Sequence, residues 1–120
     1  MEQAQEIANR YIAVWHEADA ETRRDLIARL WVADGLHYVG EREAQGYDAL
    51  EKRIIGSHEK NVRDGGHRFR AKNARALRDI VTFDWEMNPA GGEEILATGR
   101  EVLLLDEDQR ILVDYQFVLS

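Results

Sequence analysis

EILATGREVLLL (94–105) and ILVDYQFVL (111–119) are two β-rich runs joined by DEDQR (106–110), a polar link with no apolar residue to bury. Such a pair reads as an antiparallel hairpin. Each arm is long for a globular strand, which implies a strongly curved sheet, and Gly99 in mid-arm marks a bulge or bend. A curved sheet has a concave face, and the rest of the chain must fill it.

Working outward, VTFDWEM (81–87) alternates. Val81, Phe83, Trp85 and Met87 are apolar, and Thr82, Asp84 and Glu86 are polar. The pattern predicts a strand over Ile80–Met87, with Phe83 and Trp85 facing the concavity and Asp84 and Glu86 facing solvent or a partner subunit. Asn88–Gly92 is a turn. His67–Leu77 alternates more weakly around Phe69, after a break at Gly65–Gly66.

The first half has helical spacing instead. Gln3–Glu17 sets Ile7, Tyr11, Val14, Trp15 and Ala18 on one face. Asp19 caps a second helix, Ala20–Trp31, with Leu26, Ile27, Leu30 and Trp31 inward. Asp34–Gly35 breaks it, Leu36–Val39 reads as a short strand and Gly40–Gly46 as a polar loop. A third helix runs from Asp48 to about Asn61 with Leu50, Ile54, Ile55 and His58 inward. Helices segregated from a run of strands predict an α+β fold: a single domain over 1–120, with a curved antiparallel sheet wrapped around three N-terminal helices and enclosing a cone-shaped pocket.

Composition narrows the function. A net charge of −7 over 120 residues argues against a nucleic-acid partner, which needs a basic face. No apolar run is long enough to span a bilayer, and MEQAQEIANRY lacks a charged-then-apolar signal pattern, so a cytoplasmic protein is expected. With no cysteine, a metal site would rest on His and carboxylates alone. His16, His37, His58 and His67 are scattered without a ligand spacing, and no metal is expected. No phosphate loop or dinucleotide fingerprint appears, so no cofactor is expected either.

Three stretches, ANRYIAVWHEADAETRRDLI, HRFRA…VTFDWEM and LLLDEDQRILVDYQFV, resemble the NTF2-like superfamily, specifically its SnoaL-like branch. The resemblance runs through nearly the whole chain in the right order. It implies the cone fold and leaves activity open, since that superfamily holds isomerases, dehydratases, cyclases, epoxide hydrolases and non-catalytic binders. Asn9–Arg10–Tyr11–Ile12 is similar to the ARYI of ketosteroid isomerases, which implies that Tyr11 stands at their oxyanion-hole tyrosine. Counting back from Asp106 and Arg110 implies that Glu101 stands near their protonated acidic partner. The same register turns Asp114, Gln116 and Val118 of the last strand into the cavity. The general-base Asp-Pro dipeptide of those enzymes has no counterpart, because the chain reads Tyr38–Val39–Gly40–Glu41. The Asp-Arg-Asp set of limonene epoxide hydrolase has no place either.

These readings set the candidate site. Asp114 is the acid/base candidate, Tyr11 and Glu101 hold a developing oxyanion, and Gln116 orients the substrate. His58, four residues after Ile54 on a helix face, is the second candidate base. Because His37 and Tyr38 alternate, one of them faces inward, and the family register selects Tyr38. Trp15, Trp31, Tyr38, Phe69, Phe83, Trp85 and Val118 would then make an apolar wall suited to an apolar or aromatic small molecule. Three functions follow: a cofactor-independent acid/base enzyme (isomerase, dehydratase or aldol-type cyclase) on an apolar oxygenated substrate, a non-catalytic binder with the same pocket, or an assembly module. The two-sided apolar character of Leu103–Leu105 and Ile111–Leu119 predicts a homodimer through the outer face of the sheet.

Overall fold

Helix α1 (Glu2–His16) buries Ala4, Ile7, Ala8, Tyr11, Val14 and Trp15, the stripe that its helical spacing dictates. The computed structural model describes residues 2–120. Helix α2 (Ala20–Leu30) starts where the Asp19 side chain accepts the Thr22 N–H at 2.8 Å. Such a cap is worth about 1 kcal/mol. The helix stops one residue earlier than expected, because Trp31 already begins strand β1 (Trp31–Val39). Asp34–Gly35 therefore lies inside that strand. The β1 register shifts between Trp31 and Leu36, and a Cβ on Gly35 would meet Trp31 Cδ1 at 2.7 Å. The glycine permits a bulge here, where the sequence suggested an interruption.

The expected polar loop contains a short edge strand, β2 (Arg42–Gln45). Val39 pairs with Arg42 around a tight turn in which Gly40 takes φ +57°, as hairpin turns of this kind require. Only Ala44 of β2 is buried, so its composition looks like a loop. Helix α3 (Tyr47–Ser57) continues into a wider π-helical segment, His58–Asp64. Strands β3 (His67–Leu77), β4 (Ile80–Pro89), β5 (Ala97–Leu105) and β6 (Ile111–Val118) complete the chain.

The six strands form one open sheet in the order β2-β1-β6-β5-β4-β3. The β1–β6 pair is parallel and the others are antiparallel, so the sheet is mixed. Pairing aligns three rows across the face that packs on α1. The first is His37, Asp114, Leu103 and Val81; the second is Val39, Gln116, Glu101 and Phe83; the third is Val118, Gly99, Trp85 and Ala71. Polar and ionisable groups thus sit beside core residues at fixed intervals. On the opposite face Arg70 and Lys72 pair with Glu86, and Arg100 pairs with Asp84. No helix among the described residues is long and apolar enough to cross a membrane.

Candidate active site

Tyr11 projects from α1 onto the middle of the sheet, and its ring meets Phe83 edge-on with centroids 5.3 Å apart. Its hydroxyl lies 2.8 Å from Glu101 Oε1 and 2.6 Å from Asp114 Oδ2. Trp85 Nε1 donates to Glu101 Oε2 at 2.7 Å. On the far side, His37 Nδ1 lies 2.7 Å from Asp114 Oδ2. The result is one chain of polar contacts, His37–Asp114–Tyr11–Glu101–Trp85, in which every residue is buried.

Proton counting orders this chain. The phenol has a single hydrogen and two carboxyl neighbours. Burial first, and then the nearby Asp114 carboxylate, push the Glu101 carboxyl well above the ordinary glutamate value against the lowering effect of its bonds to Tyr11 and Trp85, so Glu101 keeps its proton. Tyr11 therefore donates at the shorter distance to Asp114, and Glu101 donates to the Tyr11 oxygen. Asp114 Oδ2 accepts from the other side as well, which sets the hydrogen of His37 on Nδ1. Burial and then the two acidic neighbours also raise the Tyr11 phenol well above its ordinary value, so it stays neutral.

Gly99 makes the last link possible. A Cβ there would stand 2.1 Å from Trp85 Cζ2 and 2.2 Å from Cε2. The indole lies directly on the glycine, which aims Nε1 at Glu101. Gly99 is thus a point of close approach, and this is the packing reason for a glycine in mid-strand.

Above the cluster opens a pocket of about 590 Å³, a common size for small-molecule sites. Tyr11, Trp15, Phe69, Trp85, Glu101, Gln116 and Val118 line it. Met87, Ser57 and Asn61 add to the wall, and Arg42, Lys52, Arg53 and Lys60 stand around it. Glu101 is the one carboxylate among the described lining residues.

Five expected site residues lie elsewhere. Asp114 is fully buried one hydrogen bond behind the wall, under Tyr11. Trp31 and Phe83 are also fully buried, in the core around Tyr11. His58 turns back to the chain and places Nδ1 3.1 Å from the Trp15 carbonyl. Tyr38 is on the outer face, stacked on Tyr115 at 5.6 Å. The alternation of residues 37 and 38 stands, but His37 takes the inner position, because it pairs in register with Asp114. Reading the Asp114 side of β6 as the inner one already selects it.

His37, Glu101 and Asp114 each offer one atom within 4.8 Å of the others, the spacing of a metal cage. However, His37 Nδ1 and Asp114 Oδ2 are 2.7 Å apart. Two ligand atoms around one tetrahedral ion sit about 3.3 Å apart. An ion would have to separate this pair and displace the proton it shares, so the arrangement fits a hydrogen-bonded relay better.

No protein-family model matches the sequence, and no curated protein matches it. Solved structures do. A SnoaL-like family protein from Agrobacterium tumefaciens strain C58, provisionally named an isomerase, superposes with a TM-score of 0.89 at 25% identity, covering 100% of both chains. An NTF2-like protein from Exiguobacterium sp. 255-15 gives 0.72 at 17% identity over 95% of this chain and 98% of its own. A protein provisionally named a polyketide cyclase, from Sinorhizobium meliloti, gives 0.70 at 11% identity over 92% and 93%.

Proposed function

Because the chain has the NTF2-like fold in its SnoaL-like form, we propose that it is a cofactor-independent acid/base enzyme of the isomerase, dehydratase or aldol-type cyclase kind, acting on an apolar oxygenated small molecule. The observation that carries this reading is a buried carboxyl lining an aromatic pocket, within hydrogen-bond reach of Tyr11 and Trp85, which burial shifts toward its neutral form. When substrate binds, Glu101 turns its proton from the Tyr11 oxygen to a carbonyl or leaving hydroxyl oxygen of the substrate and gives it up there. The carboxylate formed accepts the Tyr11 O–H across the same 2.8 Å. It then takes a proton from carbon and returns to its starting state, so one group serves as acid and then as base. Asp114 acts through Tyr11 by keeping Glu101 protonated at rest, and His37 holds Asp114 in place. Gln116 orients the substrate from the facing position on β6.

The test is proton exchange. Cyclic ketones and β-hydroxy ketones are incubated with the protein in deuterated water, and loss of the α-proton signal is followed by NMR. Exchange above the buffer rate is expected for the compounds that bind. Tyr11→Phe should slow it by about 10–100-fold, since the new carboxylate loses its donor. Binding without exchange by any compound would end the enzymatic reading. It would leave the second one, a non-catalytic binder, which the presence of one lining carboxylate favours.

We also infer a homodimer through the outer face of the sheet. Tyr115 and Phe117 are 44% and 53% exposed there, in line with Tyr38, and an apolar strip of this kind marks an interface. Light scattering at micromolar concentration should give twice the chain mass. Tyr115→Glu should halve it, and a monomer mass for the unaltered chain would refute the dimer.

A further inference from the structure

The pocket mouth is basic, although the protein as a whole carries a net charge of −7. Arg42 comes from β2, Arg53 from α3 and Lys60 from the π-helical segment. Some cations elsewhere meet acids: Arg24 meets Glu51, Arg63 meets Glu59 and Asp64, and Arg100 meets Asp84. The pocket cations have no carboxylate at ion-pair distance among the described residues, and they gather around one opening. Three separate elements converge to place them there, whereas an ordinary solvated surface would scatter them.

Arg53 is the most telling. Its guanidinium carbon lies 5.0 Å over the Trp15 ring, and its Nε is buried with no partner among the described residues. Burial, helped by the charge of Arg42 and opposed by the acidic cluster of Tyr11, Glu101 and Asp114, draws its pKa below the ordinary arginine value. A guanidinium stripped of part of its water and set near a second cation lacks a contacting counter-charge, since Asp114 acts on it only from behind the pocket wall. Glu101 does not supply one, because it is neutral. A planar carboxylate or phosphate matches the open donors of Arg53 in charge and in geometry.

We propose that the natural ligand is a planar apolar molecule carrying an anionic group, a carboxylate or a phosphate monoester, which seats on Arg53 with Arg42 and Lys60 around it while another oxygen meets Tyr11 and Glu101. Phe69 and Trp85, packed edge-on against each other, form the apolar wall for its body. The proposal rests on the acid/base pocket described above and adds the charge of what enters it. A basic mouth on an acidic protein also draws anions to the site in preference to the rest of the surface.

The test uses three probes of one shape: 2-naphthoate, 2-naphthyl phosphate and the neutral 2-naphthamide, titrated into the full chain by calorimetry. At least one anion should bind about tenfold or more tighter than the amide at low salt, and whichever anion leads identifies the group. The preference should shrink toward unity in about 1 M salt, where the screening length is about 3 Å. Arg53→Gln should remove the preference, read as the ratio of anion to amide affinity within that variant. If circular dichroism shows that this variant is unfolded, the exposed pair Arg42→Gln and Lys60→Gln carries the test, with an expected loss of about threefold or more. Equal affinity for the amide and the anions would overturn the anionic ligand and leave the acid/base pocket standing, as would an anion preference untouched by these variants. Failure of all three probes to bind would overturn both.

Discussion

Replacing Glu101 by glutamine should remove turnover and, at neutral pH and above, raise the melting temperature. The amide keeps the shape of the protonated carboxyl. Its oxygen can take the Trp85 N–H that Oε2 accepts at 2.7 Å, and its nitrogen can donate to the Tyr11 oxygen at the 2.8 Å position of Oε1. What it cannot do is release and recover a proton. A general acid of this kind contributes about 10²–10⁴-fold, so exchange should fall by roughly three orders of magnitude.

The gain in stability follows from linkage. Burial first, and the charge of Asp114 next, lift the Glu101 carboxyl well above its ordinary value of 4.5. Below that ordinary value both the folded and unfolded chains hold the proton, and the contribution is fully present. As the pH rises toward the lifted value, only the folded chain still holds it, and stability falls by about 1.4 kcal/mol per pH unit. Glutamine has no proton to lose, so its advantage should widen steadily with pH. His16 works in the opposite direction. Burial lowers its pKa from 6.5, so the bond in which its Nε2 accepts the Phe69 N–H at 2.9 Å is lost as the pH falls through that lowered value. Both proteins share this slope, and subtracting their melting curves between about pH 5 and 9 isolates Glu101. A constant difference across that range would mean that Glu101 ionises like an ordinary carboxyl, and the neutral acid at the pocket floor would be lost with it.

Much of this arrangement was legible because strand alternation is a strict rule. Once Ile111–Leu119 is a strand, Asp114 and Gln116 must share a face. Once Tyr11 lies on the buried stripe of α1, it must meet the sheet. The depth of each residue along that face was not legible. Asp114 lies in the row of Leu103 and Val81 and is sealed in, while Glu101 and Gln116, one row along, reach the pocket. Alternation assigns sides but does not say where the helices stop covering them. The same limit put Trp31 and Phe83 on the pocket wall when both are core. His37 was a choice between two neighbours, settled wrongly by the register of relatives whose base this chain lacks. The basic mouth had no signature at all, because Arg42, Lys52, Arg53 and Lys60 come from three elements and meet only in the folded chain. Strand β2 was hidden for a different reason. An edge strand buries one side chain in four here, and its sequence is then indistinguishable from a polar loop.

Gly99→Ala should be among the most damaging single-methyl changes in the chain. The added Cβ would stand 2.1 Å from Trp85 Cζ2 and 2.6 Å from the Phe117 carbonyl oxygen. No carbon tolerates either distance. Trp85 must tilt off the strand, and strand β5 must shift against β6 to free the carbonyl. Tilting breaks the Nε1–H bond to Glu101 Oε2 and leaves a buried carboxyl oxygen unpaired. Overpacking of this kind and the lost bond together should cost roughly 2–4 kcal/mol, or about 10 °C of melting temperature in a domain of this size. The two strains can be separated by a double-mutant cycle. Trp85→Leu alone removes the indole, and in that background Gly99→Ala meets only the Phe117 carbonyl. Its cost should therefore drop by about 1 kcal/mol or more, a coupling expected of residues in direct contact. Urea denaturation of the four proteins measures it. Additive losses would mean that the indole does not lie on Gly99, and the aim of Trp85 at Glu101 would then need another cause.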